Sequence, residues 1–403
     1  MRIKAVINNI ILWLAVAGVA LGASELLLRL LPTDVQSPPR LQFDNTDGIG
    51  VSHPKNVRFN NSSECFGSVE YSTNSWGMRD RERLFKKEDG VFRVAMIGDS
   101  MIEAEQVGDK AVVNRVLEDK FGGKVEFLNF GMNSLGPVQY SLLYEKKIRK
   151  FKPDLVLLMF FPENDIANSS LSLEKITYGG ELFLTYRDER GQPFSTVNFT
   201  FQKSARQFLT RNFATFRLLK QINSTLKYSH NQELGEKIIE IDANLSLEEL
   251  LAMRGKRREL VRNEVFIFPP DEEWEEAWRR AEEELVRLKK MVEADGSRLI
   301  VVLTPSLAEL DPITPATIAD NVFKAVQGDR SIDIFYPDKR MRQLLAANNF
   351  LFFDLSPIMR ELIKKNNLIF PYFSLGCDFH WSRFGHEAVA NELFSWLKQG
   401  IIK

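Results

Sequence analysis

From residue 92 onward the chain alternates short, almost wholly apolar runs with amphipathic stretches of helical period. The apolar runs are Phe92 to Ile97, Val125 to Phe130, Leu155 to Phe161, Leu299 to Leu303 and Phe350 to Phe353. A strand buried on one face alternates in polarity, so runs without alternation predict strands covered on both faces. Their interleaving with helices predicts a mainly parallel sheet between two helical layers, a three-layer α/β domain. Behind Pro269 and Pro270, Trp274, Trp278, Leu285, Leu288 and Val292 fall at helical spacing. Asp271 is the N-cap candidate, acidic residues fill the first turns and Gly296 is the stop, so a long amphipathic helix is expected, its Trp pair packing in the core.

The N-terminus has a different pattern. Arg2 and Lys4 precede a largely apolar stretch, and from Ala5 to Ser24 it reaches the roughly 20 residues that cross a bilayer. The basic pair would stay in the cytoplasm, placing everything after Leu31 on the other side. Ala20-Leu21-Gly22 offers a cleavage site for a signal peptide, but the apolar pattern runs past it, broken by Glu25 and Arg29, until Pro32, which favours an uncleaved anchor. The expected organisation is an anchor over 1–31, a linker and extended segment over 32–90, the first part of the α/β domain over 91–167, a cap or insertion over 168–270, and the rest of the domain over 271–403. The insertion falls between strands three and four and is far longer than a crossover.

Composition narrows the function. With a formal net charge of -1 the chain has no general attraction for nucleic acid. No His, Cys and carboxylate group has metal-ligand spacing and no Gly-rich phosphate loop is present, so neither metal nor cofactor is expected. Cys65 and Cys377 are too few for a disulfide framework; in an oxidising compartment a bond between them would tie the extended segment to the loop before Asp378.

In a parallel sheet, chemistry collects in loops at the carboxyl ends of the strands. Those loops carry Gly98-Asp99-Ser100, Asn129-Phe130-Gly131 and Pro162-Glu163-Asn164-Asp165, and near the C-terminus stands Asp378-Phe379-His380-Trp381-Ser382. A serine hydroxyl needs a base and an imidazole needs an orienter, roles that suit Ser100, His380 and Asp378. Backbone N–H groups of Ser100 and Gly131 with the Asn164 amide are the candidate oxyanion hole. Asp99 and Asp165 are expected to stabilise their loops, Asn129 and Asn133 to serve the turn, and His386 to be structural; His53 and His230 lie outside the sheet pattern.

These blocks, in this order, resemble those of the SGNH/GDSL hydrolase superfamily. The resemblance covers roughly residues 90–168 and 297–398 and implies a flavodoxin-like sheet, a Ser100 nucleophile, His380 as base with Asp378 as its partner, and the oxyanion hole just named. Two positions depart from the family pattern: Pro162 stands where the third block has glycine, and Asp378-x-His380 replaces a longer spacing. The latter is similar to bacterial polysaccharide O-acetyltransferases, and the segment from His53-Pro54 to Asn74-Ser75-Trp76-Gly77-Met78-Arg79-Asp80 resembles the lead-in of anchored envelope members. The resemblance implies an esterase or O-acyltransferase on acetyl esters of envelope polysaccharide, periplasmic and membrane-held, in contact with polysaccharide machinery. A non-catalytic polysaccharide-binding component and a lipid esterase or thioesterase are the alternatives.

Overall fold

The computed structural model describes residues 2–30, 41–43, 47–63, 67–177, 184–196, 201–220, 222, 264–310, 330–366 and 380–402. They belong to two compact units, one of Met1–Gln42 with Asn198–Leu245, the other of Phe43–Val197 with Ser246–Lys403.

In the larger unit a pair of antiparallel strands, β1 (Arg58–Ser63) and β2 (Gly67–Ser72), precedes the α/β domain. The domain then runs β3 (Phe92–Gly98), α2 (Ser100–Glu103), α3 (Val113–Lys120), β4 (Val125–Gly131), α4 (Pro137–Lys146), β5 (Leu155–Phe160) and α5 (Pro162–Asn168). The label α1 belongs to Arg2–Leu30 and α6 to Phe201–Asn212, both in the smaller unit. After these come α7 (Glu272–Ala294), β6 (Arg298–Leu303), α8 (Tyr336–Ala347), β7 (Leu351–Asp354), α9 (Ser356–Asn366) and α10 (Arg383–Gly400).

Five strands form one parallel sheet in the order β4-β3-β5-β6-β7. By position in the domain this is the 2-1-3-4-5 order of flavodoxin-like folds, and its direction reverses between β3 and β5. Alternate residues feed opposite layers. Val94, Met96, Leu155, Leu157, Met159, Ile300 and Val302 join a core with Leu117 of α3 and Val389, Leu393 and Leu397 of α10. The intervening Ala95, Ile97, Val156, Leu158 and Val301 are equally buried, on the face where α7 packs against α4 and β6. Each strand is therefore apolar on both sides, which is why its sequence shows no alternation.

Helix α7 starts as its pattern requires, with Asp271 accepting from the Trp274 N–H at 3.0 Å. Trp274 and Trp278 are both buried, the first donating its indole N–H to Glu264 and the second lying edge-on to Tyr336, so the pair packs in the interior.

The segment before β3 is bound to the domain by buried charge. Arg83 reaches both oxygens of Asp80, Glu118 Oε1 at 2.6 Å and the Phe127 carbonyl at 2.9 Å, while Asp80 also accepts from the Asn129 N–H. Arg79 donates to the carbonyls of Glu103 and Val107, at the end of α2 and beyond it.

The expected insertion is not one body. Residues 184–196 lie in the larger unit, where Gln139 donates to the Thr185 carbonyl and Arg187 pairs with Glu145 and Glu284. Residues 201–220 belong to the smaller unit, and 223–263 lie outside the described residues.

Candidate active site

β3 ends at Gly98, and the chain turns at once into α2. Asp99 caps that short helix by accepting from the Met101 N–H at 2.9 Å, and Ser100 is its first residue. A helix's first N–H groups have no acceptor within the helix, so the Ser100 N–H stands at the kind of position that binds an anion. On the other side of the switch point, α5 begins at Pro162. Proline is suited to a first helical position, where its missing N–H removes no hydrogen bond, so its presence here is compatible with the third block. Asn164 of α5 donates its side-chain amide to Asp99 Oδ2 at 2.8 Å, beside Ser100 in the chain.

The loop leading into α10 brings the imidazole. His380 Nε2 lies 2.8 Å from Ser100 Oγ, a hydrogen bond that closes 280 residues of chain. The loop is held by Gln106, which donates to the Trp381 carbonyl at 2.8 Å, by the buried Trp381 ring, and by Ser382, which caps α10. Asp378, Cys377 and Cys65 lie outside the described residues, as does His230, so the third triad member and the disulfide are not placed.

Gly131 occupies a position different from that expected of an oxyanion donor. A Cβ there would sit 2.4 Å from the Glu103 nitrogen and 2.5 Å from the Ile102 carbonyl carbon, so the absent side chain admits the backbone of α2. Its N–H is already given to Asn129 Oδ1 at 2.8 Å, and Asn129 donates in turn to the Ile102 carbonyl. Service as an oxyanion donor would require that bond to be given up. Ser100, Asn164 and His380 are thus brought together, whereas Gly131 packs the end of β4 beneath α2.

The neighbouring acids support loops. Asp165 accepts from Tyr140 Oη at 2.8 Å and from the Phe161 N–H at 2.9 Å; burial, with the Asp99 carboxylate nearby, pushes its carboxyl well above the usual range. Burial also raises Asp99, opposed by its bonds from Met101 and Asn164. His386 is buried edge-on to Trp381, and burial with the nearby Arg79 charge lowers it to about 3, which keeps it neutral.

One pair escaped the sequence reading. His53 Nε2 lies 2.8 Å from Glu103 Oε1, both side chains buried, and the other Glu103 oxygen accepts from the Asn133 N–H. Burial lowers the His53 pKa, but the Glu103 carboxylate outweighs it and the net shift is upward; Glu103 moves down, the His53 charge overcoming burial. The pair joins the early segment, the nucleophile helix and the loop after β4. The only available signal was His-Pro within the lead-in block, which carries no indication of its partner.

No family model matches the chain. No curated protein matches it either. Similarity to solved structures is distant. An acetyl xylan esterase is 12% identical over 76% of this chain and 100% of its own, with a TM-score of 0.38. A catalytic mutant of an acetylxylan esterase from Geobacillus stearothermophilus is 14% identical over 78% and 96%, at 0.35. A lipase/acylhydrolase from Enterococcus faecalis is 12% identical over 77% and 96%, at 0.34.

Proposed function

We propose that the chain is a serine hydrolase of the SGNH/GDSL type, an esterase or O-acyltransferase that works through an acyl-Ser100 intermediate. The observation that carries this reading is the 2.8 Å contact between Ser100 Oγ and His380 Nε2, at the switch point of a parallel sheet. His380 takes the hydroxyl proton as Ser100 Oγ attacks an ester carbonyl. The oxyanion of the tetrahedral intermediate is met by the Ser100 N–H and by the Asn164 amide hydrogen not bound to Asp99. His380 then gives its proton to the departing alkoxide, leaving the acyl group on Ser100. Water or a sugar hydroxyl, deprotonated by the same imidazole, releases that group. Asp378 is the proposed orienter of His380.

Acetyl esters of envelope polysaccharide are the proposed substrates, supported by the Asp378-x-His380 spacing and the lead-in block. The proposed location is the extracytoplasmic face of a cell membrane, supported by Arg2 and Lys4 before an apolar helix that is long enough to cross it. That same helix favours a second reading, a lipid esterase or thioesterase. A fluorophosphonate probe should label the wild type and not Ser100→Ala, and ester turnover should fall by roughly 10⁴ to 10⁶ in the variant. Equal labelling of both proteins refutes the nucleophile. Faster turnover of long-chain than acetyl esters would replace the polysaccharide reading with the lipid one.

A further inference from the structure

The smaller unit presents a second apolar surface. From Phe201 to Ile222 the chain has five cationic residues, Lys203, Arg206, Arg211, Arg217 and Lys220, and no acidic one. It forms α6 and a second helical stretch over 214–220, with a break at Phe213. Phe208 is 60% exposed, Phe213 40%, Leu219 57% and Ile222 47%. Apolar side chains left in the open on a basic helical pair are the composition of an element that lies along a membrane surface.

Its attachment specifies where it lies. Glu25 of α1 accepts from the N–H groups of Ala214 and Thr215 at 3.0 and 2.9 Å and from the Thr215 hydroxyl, Ser24 meets that same hydroxyl, and Arg29 donates to the Asn212 carbonyl. The break between the two stretches is thus fixed to the last turns of α1, a helix whose window Ile11–Leu30 is not buried by protein at all. Counted from Ala5, about 20 residues at about 1.5 Å each cross the roughly 30 Å hydrocarbon layer and end beside Ser24 and Glu25. The polar contacts on Glu25 therefore coincide with the level at which the helix would leave the lipid.

We propose that residues 201–222 form an interfacial helical pair, docked on the outer end of α1, with Phe208, Phe213, Leu219 and Ile222 inserted into the same leaflet and the cations among anionic headgroups. The inference rests on α1 residing in the bilayer as an uncleaved anchor. It gives the chain a second membrane contact, separated from the first by some 170 residues of sequence.

The test uses the full-length chain in vesicles of phosphatidylethanolamine and phosphatidylglycerol, with Cys65→Ser and Cys377→Ser and one spin label at a time through Val16→Cys, Phe208→Cys, Arg211→Cys or Leu219→Cys. Labels at 208 and 219 should lie about 5–10 Å below the phosphates, open to oxygen and closed to a water-soluble nickel chelate, while 211 stays open to nickel. A shielded 16 with 208 and 219 open to nickel overturns the inference alone. Nickel access at 16 overturns the anchor and the inference with it. Labels at 208 and 219 closed to both reagents indicate a protein partner and also overturn it. Without any substitution, a lipid carrying a diazirine near its headgroup should crosslink to peptides covering 205–222 as well as to α1; adducts on α1 only count against the inference.

Discussion

Asn164 combines two tasks that separate under mutation. One amide hydrogen holds Asp99, the cap of the nucleophile helix, and the other is left for an oxyanion. Removing such a donor typically costs about 10² to 10³ in kcat. Asn164→Ala should show that loss with KM little changed, and an unaltered kcat would exclude the amide from the oxyanion hole. His53 makes a different prediction. Its pKa is raised on folding, so its contribution is complete below the unfolded value of 6.5 and is lost as pH rises through the folded one. Glu103 is depressed, so its contribution is complete above 4.5 and is lost as pH falls through its lower folded value. The pair therefore stabilises most between 4.5 and 6.5. Urea midpoints should fall from pH 6 toward pH 9 in the wild type more steeply than in His53→Gln, which leaves Glu103 without its cation and lowers stability at pH 6 by about 3–5 kcal/mol. Parallel curves for the two proteins would show that the pair is uncharged.

At the scale of elements, α2 and the end of β4 share one close contact. Gly131 lets the backbone at Ile102 and Glu103 approach, and rigid backbone cannot retreat as a flexible side chain would. Gly131→Ala should destabilise the fold by about 1–3 kcal/mol, measured as a shift in the denaturation midpoint, because extra volume in a packed core forces neighbours off their positions. Turnover should fall too, since α2 carries Ser100. Full stability in the alanine variant would show that α2 can shift without cost. The strands themselves were readable: each apolar run became a strand to within a residue or two, because burial on both faces leaves a continuous signal. So was α7, whose cap, acidic first turns and apolar stripe all agree. Gly131 was misread because a glycine at a strand end fits substrate approach and helix approach equally well, and only the position of α2 distinguishes them.

Across the whole molecule the division into units follows contact and not sequence order. Residues 198–245 join the N-terminal helix, while the rest of the expected insertion divides between the larger unit and the residues that are not described. The sequence by itself determined the parallel α/β architecture, the apolar N-terminal helix and the candidate nucleophile and base, because periodicity, strand-end loops and short motifs are local properties of the chain. Only the tertiary structure decided that Ser100 and His380 meet, that Asn164 reaches Asp99, that His53 finds Glu103 and that Glu25 holds the turn at 212–215. Those pairings span from about fifty to almost three hundred residues, and separation along a chain sets no distance in space until the sheet order has fixed which loops are neighbours.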